Sequence, residues 1–436
     1  MASNAKFIGA AIIVLALLVL ANTIQFGQAQ LANSPWPKFM HDPQNTGRSS
    51  YVGPQDNTVK WTYSIGKGLT SSPAIASDGT VYFAPFRDNK FYALNPNGEL
   101  KWSFQSEWDY WTYGTPAIST NGTIYFTAMS KENKLYALND DGDQATVKWY
   151  FSTSEPIYTS PTLGSDGTIF IGTALRENKL YAIRDDGNTA TVRWAFQSNY
   201  YIIFTPAISA DGKIYLSTFG DLYALRDDGD NVEVEWVFHL DNDRVNTPPS
   251  IGADGMIYFG TTDGRLYSLF ENGAIKWSHK VGKMVVTAPA IAENGTVYVG
   301  IWDNDLNDWI IAIRDNVVIW SFKPIDGPLS SPIVDVDGTV FFCAKGSIYA
   351  LNPDGTLKWS YIPEGANALF TYTSSPVIAS DGALYVGWET SEDSHWIYAF
   401  GPISEQPPPK SDYALLSIAG AVISIIILII LYRRMR

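Results

Sequence analysis

The chain has 436 residues, a 46% hydrophobic fraction and a formal net charge of −14. That apolar share suffices for a large buried core, while the acidity argues against nucleic acid and anionic lipid surfaces as partners. A single cysteine, Cys343, excludes an internal disulfide, so stability must come from packing.

In chain order, Lys6 precedes an apolar run over 7–21, and Gly27-Gln28-Ala29 offers small residues for cleavage. Residues 1–29 read as a secretory signal peptide or an uncleaved N-terminal anchor. A lead segment, 30–57, follows. Near the other end, 403–412 is a Pro-rich linker. Residues 413–432 are 20 positions without a charge, long enough for a transmembrane helix, and Arg433, Arg434 and Arg436 follow at once. By the positive-inside rule 433–436 is a cytoplasmic tail. The expected location is the cell membrane, single-pass, with the middle of the chain outside the cytoplasm.

That middle, 58–402, is repetitive. A proline is followed six residues later by glycine at Pro73/Gly79, Pro116/Gly122, Pro161/Gly167, Pro206/Gly212, Pro249/Gly255, Pro289/Gly295, Pro332/Gly338 and Pro376/Gly382, eight copies spaced 40 to 45 residues apart. Each glycine leads into an alternating strand such as Thr80-Val81-Tyr82-Phe83, then a second such as Phe91-Tyr92-Ala93-Leu94. A turn such as Asn95-Pro96-Asn97-Gly98 and a strand containing tryptophan complete the unit. Each unit is therefore an antiparallel sheet of four strands, A to D. One such sheet cannot bury both faces, and stacking copies around an axis can. The eighth unit lacks its strand D, and Val59-Lys60-Trp61-Thr62-Tyr63 stands ready before the first to supply it. The expected fold is all-β, an eight-bladed propeller of four-stranded antiparallel blades, with one C-terminal transmembrane helix.

The unit Ser-Ser-Pro…Asp-Gly-Thr-Val-Tyr…Leu-Tyr-Ala-Leu-Asn-Pro-Asp-Gly-Thr-Leu-Lys-Trp resembles the pyrroloquinoline-quinone-like (PQQ-like) propeller repeat over about 58–402, and Trp36-Pro37-Lys38-Phe39 resembles the opening common before such repeats. That superfamily includes quinoprotein dehydrogenases and outer-membrane assembly propellers. The resemblance implies that Trp61, Trp102, Trp149, Trp194, Trp236, Trp277, Trp320 and Trp359 dock blade against blade.

For function, a PQQ-dependent dehydrogenase would require the quinone and Ca²⁺. The adjacent cysteine pair of many such enzymes is missing, and Cys343 reads as a small buried hydrophobe. No catalytic residue and no cofactor are expected. The acidic turns beginning at Asp140, Asp185 and Asp227 read as solvated hairpin turns. Trp302-Asp303-Asn304-Asp305 starts like a calcium loop but lacks the turn glycine and closing glutamate, so no metal site is expected.

A third reading starts from the tryptophans outside the repeat. Trp108, Trp111, Trp302, Trp309, Trp388 and Trp396 fall in or beside D–A connections or B–C loops, as do Tyr110, Tyr200, Tyr201 and Tyr372. Those loops share one face of a propeller. The expected function is a non-catalytic scaffold that binds an extracellular protein, peptide or glycan through this aromatic face; the alternatives are the dehydrogenase and an envelope protein assembly factor. Sequons at Asn121 and Asn294 are candidate glycosylation sites.

Overall fold

The computed structural model describes residues 30–402, apart from 66–70, 86–87, 106–113, 130–132, 241–242, 304–307, 325–329, 345, 365–373 and 392–393. The leader, linker, transmembrane and tail readings lie outside the described residues. No described helix is long and apolar enough to cross a membrane.

Eight antiparallel sheets form the propeller. The first blade runs Ala74–Ile75, Val81–Phe83, Lys90–Leu94 and Leu100–Gln105, each strand paired with the next. The sixth blade adds Met284–Val285 to the usual set. In the eighth, Val377–Ile378, Leu384–Ser391 and Ser394–Phe400 are completed by Val59–Ile65 from the start of the ring. There Tyr63 faces Ile397 and Ile65 faces His395, so the ring closes with the expected hairpin-like exchange.

The Pro–Gly spacing has a local cause. Pro73 precedes strand A, and the A–B turn closes through Gly79 N–H to Ala76 O at 3.0 Å. Gly79 sits at φ 82° and Gly382, in the equivalent turn of the last blade, at φ 78°. L-residues with side chains rarely adopt that region, so each turn retains glycine. Strands A to C are mostly buried on both faces because neighbouring blades cover them. Strand D is covered only in part: Leu100 and Ser103 are exposed, while Trp102 is buried beyond a bulge at Lys101. Blades interlock through aromatic contacts such as Phe91 of the first on Phe126 of the second, 4.4 Å between ring centroids.

Two further systems tie the blades around the axis. The hydroxyl just before the repeat proline accepts a backbone N–H from the preceding blade. Thus Thr115 N–H reaches Ser160 Oγ (2.9 Å), Ser160 N–H reaches Thr205 Oγ1 (3.0 Å), and Ser375 N–H reaches Ser72 Oγ (3.0 Å) across the closure. The second system is the lead segment. Its carbonyls accept the strand-A N–H groups of six blades: Trp36 O from Ile75, Pro37 O from Ile118, Pro43 O from Ile208, Gln44 O from Ile251, Thr46 O from Ile291 and Gly47 O from Val334, at 2.7–2.9 Å. Extended chain without a sheet of its own is thus held by backbone bonds at the ends of the inner strands. Lys38, wholly buried within it, donates to Asp42 O (2.8 Å) and Asn45 Oδ1 (2.6 Å). Asn45 in turn donates to Pro249 O at 3.0 Å.

Candidate functional site

The seams between blades follow a rule. The indole N–H of a strand-D tryptophan donates to the C–D turn of the next blade: Trp102 to Asp140 Oδ1, Trp149 to Asp185 Oδ1, Trp194 to Asp227 Oδ1, at 2.8–2.9 Å. Trp61, Trp236 and Trp320 instead reach the carbonyls of Pro96, Glu271 and Pro353 at 2.9 Å. Trp277 lies tilted against Tyr258 of its own blade, 5.9 Å between centroids. The acidic turns thus depart from the sequence expectation of plain solvated hairpins. Asp140 also takes Tyr82 Oη at 2.6 Å, Lys101 Nζ at 2.8 Å and Gly142 N–H at 2.9 Å. Burial alone would raise its pKa; the bonds from Lys101, Tyr82, Trp102 and Gly142 outweigh that and hold the carboxyl below its ordinary value. These carboxylates are latches between blades.

On the loop face, Trp108, Tyr110, Trp111 and Tyr372 lie outside the described residues. Tyr200 and Tyr201, in the connection from the third blade to the fourth, are exposed at 45% and 46%. They are held rather than loose. The Tyr200 ring lies flat on Gly220, where a Cβ would come within 2.4 Å of it. Tyr201 O accepts Phe219 N–H at 3.0 Å. Arg244, from the next D–A connection, sets its guanidinium 4.8 Å from the Phe219 centroid, within cation–π range. Behind this patch Asp221, buried, meets His239 Nδ1 at 2.9 Å. Two tyrosines, a phenylalanine and an arginine therefore form a fixed surface on three adjacent connections. Phe219 and Arg244 have no tryptophan or repeat signal, and sequence reasoning passed over them.

The remaining predicted contact residues divide. Trp302 and Trp309 are half-buried on the tall hairpin of the sixth blade, under Lys283 (5.4 Å) and Lys323 (5.7 Å) respectively. Trp396 is half-buried and sits opposite Trp388. Trp388 itself is a correction. It is fully buried in the core shared by the seventh, eighth and first blades, edge-on to Tyr398, so it offers no surface. A residue beside a loop in sequence can still point inward when its strand runs long, as Leu384–Ser391 does. Asn121 and Asn294 are exposed in A–B turns, where each side-chain oxygen accepts the N–H two residues on, at 3.1 and 3.0 Å.

A family model described as outer membrane protein assembly factor BamB matches residues 46–219 and 205–391. No curated protein matches the chain. Among solved structures, BamB from Moraxella catarrhalis superposes with a TM-score of 0.60 at 14% identity, covering 78% of this chain and 98% of that one. A europium-containing methanol dehydrogenase gives 0.66 at 12% identity, with 85% and 98% covered. A quinohemoprotein alcohol dehydrogenase from Pseudomonas putida gives 0.67 at 12% identity, with 87% and 82% covered. At such identities these likenesses speak to the fold alone.

The described residues do not fit a calcium-bound quinone. Among them no three His, Cys, Asp or Glu side chains are grouped to hold a metal ion. Two acids at or beside the lead segment are committed: Asp42 accepts from Thr46, and Asp335 from the N–H groups of Gly53, Asp337 and Thr339. Cys343 is buried inside a strand.

Proposed function

We propose that this chain, which belongs to the family described as outer membrane protein assembly factor BamB, is a non-catalytic propeller that holds a protein partner on its loop face. The observation that carries this reading is the fixed aromatic–arginine patch of Tyr200, Tyr201, Phe219 and Arg244. Tyrosine and arginine are the residues that dominate protein interfaces, and rigid rings lose little entropy on binding. Both tyrosines leave almost half their surface in solvent, which a partner would cover. The family description supports a role in assembling envelope proteins.

The same reading places the propeller outside the cytoplasm on a single C-terminal helix over 413–432, supported by the uncharged stretch and the arginines behind it. Protease added to intact cells would then digest the propeller and leave a tag fused after Arg436 protected.

The direct test is crosslinking from position 201 in cells, with a photoreactive residue replacing Tyr201. A single partner band that disappears in the Tyr200→Ala, Arg244→Ala double variant is expected. Loss of the reading follows if crosslinks are absent, or persist unchanged in a folded double variant.

A further inference from the structure

Strand D is the outermost strand of every blade, so one of its edges has no strand beside it. Seven blades guard that edge with charge. Each strand D carries a β-bulge at the residue just before its docking tryptophan, and this residue is lysine in five blades, Arg193 in the third and Glu235 in the fourth. Charges and bulges on an edge strand keep it from pairing with another chain. The sixth blade departs. Its strand D, Val317–Phe322, contains no charged residue, and Ile319 takes the bulge. Val317, Val318 and Ile319 are consecutive and exposed at 59%, 38% and 46%. The strand is also held in place. Trp320 donates its indole N–H to Pro353 O at 2.9 Å, and Phe322 lies edge-on to Phe342 and Tyr349 of the seventh blade. A strand already fixed needs little further ordering to pair.

The pattern around Ile319 is self-complementary. Asp315 lies four residues before it and Lys323 four after, and both are exposed. Set antiparallel to a second copy, with Ile319 facing Ile319 on a two-fold axis, Val317 faces Ser321 and Val318 faces Trp320. Asp315 of each copy then faces Lys323 of the other. A two-fold axis makes every such contact reciprocal, and opposite charges across a strand pair favour it while like charges oppose it. In the other seven blades the same arrangement sets a charge against its own copy, as lysine against lysine or Glu235 against Glu235. In a chain of net charge −14, two copies repel over most of their surface. The sixth strand D is the place on the rim where they meet without that penalty.

We propose that the chain forms a two-fold dimer in which strand D of the sixth blade pairs antiparallel with the same strand of a second copy, Ile319 at the axis. The occupant of this edge is a second copy rather than a foreign strand because the flanking charges answer each other in that pairing.

The test is sedimentation equilibrium of the full chain in detergent. A concentration-dependent dimer is expected, its dissociation constant raised about tenfold or more by Ile319→Lys. That variant should keep its melting temperature, because lysine holds the same bulge in five blades. Lys323→Glu should weaken the dimer, and the Asp315→Lys, Lys323→Glu double variant should recover it. Oxidation of Ile319→Cys with copper phenanthroline in isolated membranes should give a disulfide-linked dimer, since facing Cα atoms of an antiparallel pair stand about 4.5–5.5 Å apart, within disulfide reach. Leu100→Cys, equally exposed at 46% on strand D of the first blade, should not crosslink. Cys343 is buried and gives no background. The Tyr200→Ala, Arg244→Ala variant should dimerise normally, which separates this edge from the loop face. The proposal is overturned by a monomer at all concentrations, by unchanged affinity in folded Ile319→Lys, by equal crosslinking of the two cysteine variants, or by Ile319→Cys linking to a different protein in place of its own copy. Should Ile319→Lys fail to fold, the charge-swap and crosslinking arms still decide.

Discussion

The indole N–H of Trp359 donates to the carbonyl of Pro54 at 2.9 Å, across 305 residues of chain. In six other seams that acceptor belongs to the C–D turn of the next blade. The eighth blade has no continuous C–D turn, since its strand C ends at Phe400 and its strand D begins at Val59. The lead segment stands in for the turn, and Gly401 N–H to Thr58 O at 3.0 Å joins the two chain ends beside it. Ring closure therefore involves the strand exchange and a borrowed turn.

Removing 53–58 while keeping the strand Val59–Ile65 should lower the melting temperature, followed by circular dichroism, because Trp359 loses its acceptor and Asp335 loses the Gly53 N–H. Deleting Val59–Ile65 should do more and abolish the cooperative transition, since the eighth blade then exposes a hydrophobic edge. Equal melting for wild type and the shorter deletion would remove the borrowed turn from the account.

The latches should differ in strength by blade. Asp140→Ala and Asp185→Ala each strand a buried tryptophan N–H, a tyrosine hydroxyl and a lysine, and should cost about 2–4 kcal/mol in urea unfolding. Asp227→Ala should cost less, because Phe170 occupies the tyrosine position of that blade and has no hydroxyl to strand. The native carboxyl of Asp140 sits below its ordinary value of 3.8, so its stabilisation is complete above that pH and declines as the pH falls below it. The Asp140→Ala penalty should shrink accordingly in acid.

Lys38 gives the opposite pH trend. Burial lowers its pKa from 10.5 to about 7, with only partial compensation from Asp42. Between those values the unfolded chain binds a proton that the native chain does not, so stability rises as the pH is raised from about 7 toward 10. Lys38→Met should flatten that rise in a melting-temperature profile. An identical slope in both proteins would mean that Lys38 does not titrate as its burial requires.

Trp388 separates packing from polarity. Its ring is wholly buried, and its indole nitrogen has no hydrogen-bond partner among the described residues. Trp388→Ala should cost about 3–5 kcal/mol through the cavity it leaves. Trp388→Phe should retain most of the stability, as it removes an unsatisfied polar group along with some volume. Denaturant midpoints of the two variants check this; equal losses would point to the nitrogen rather than the ring.

Blade number, strand order and closure were readable in the sequence because each rests on local, repeated chemistry: a glycine at positive φ, period-two alternation, and one tryptophan per unit. Side-chain destinations at the blade ends were not. Trp388 and Tyr200 both lie near loops, yet one is core and the other surface, because the length of a strand and the next blade's packing decide which way a ring turns. The latch role of Asp140 needed the neighbouring blade in place, since Trp102 meets it 38 residues away. The lead segment carried little periodic signal because its bonds run to six separate strands rather than to a partner of its own.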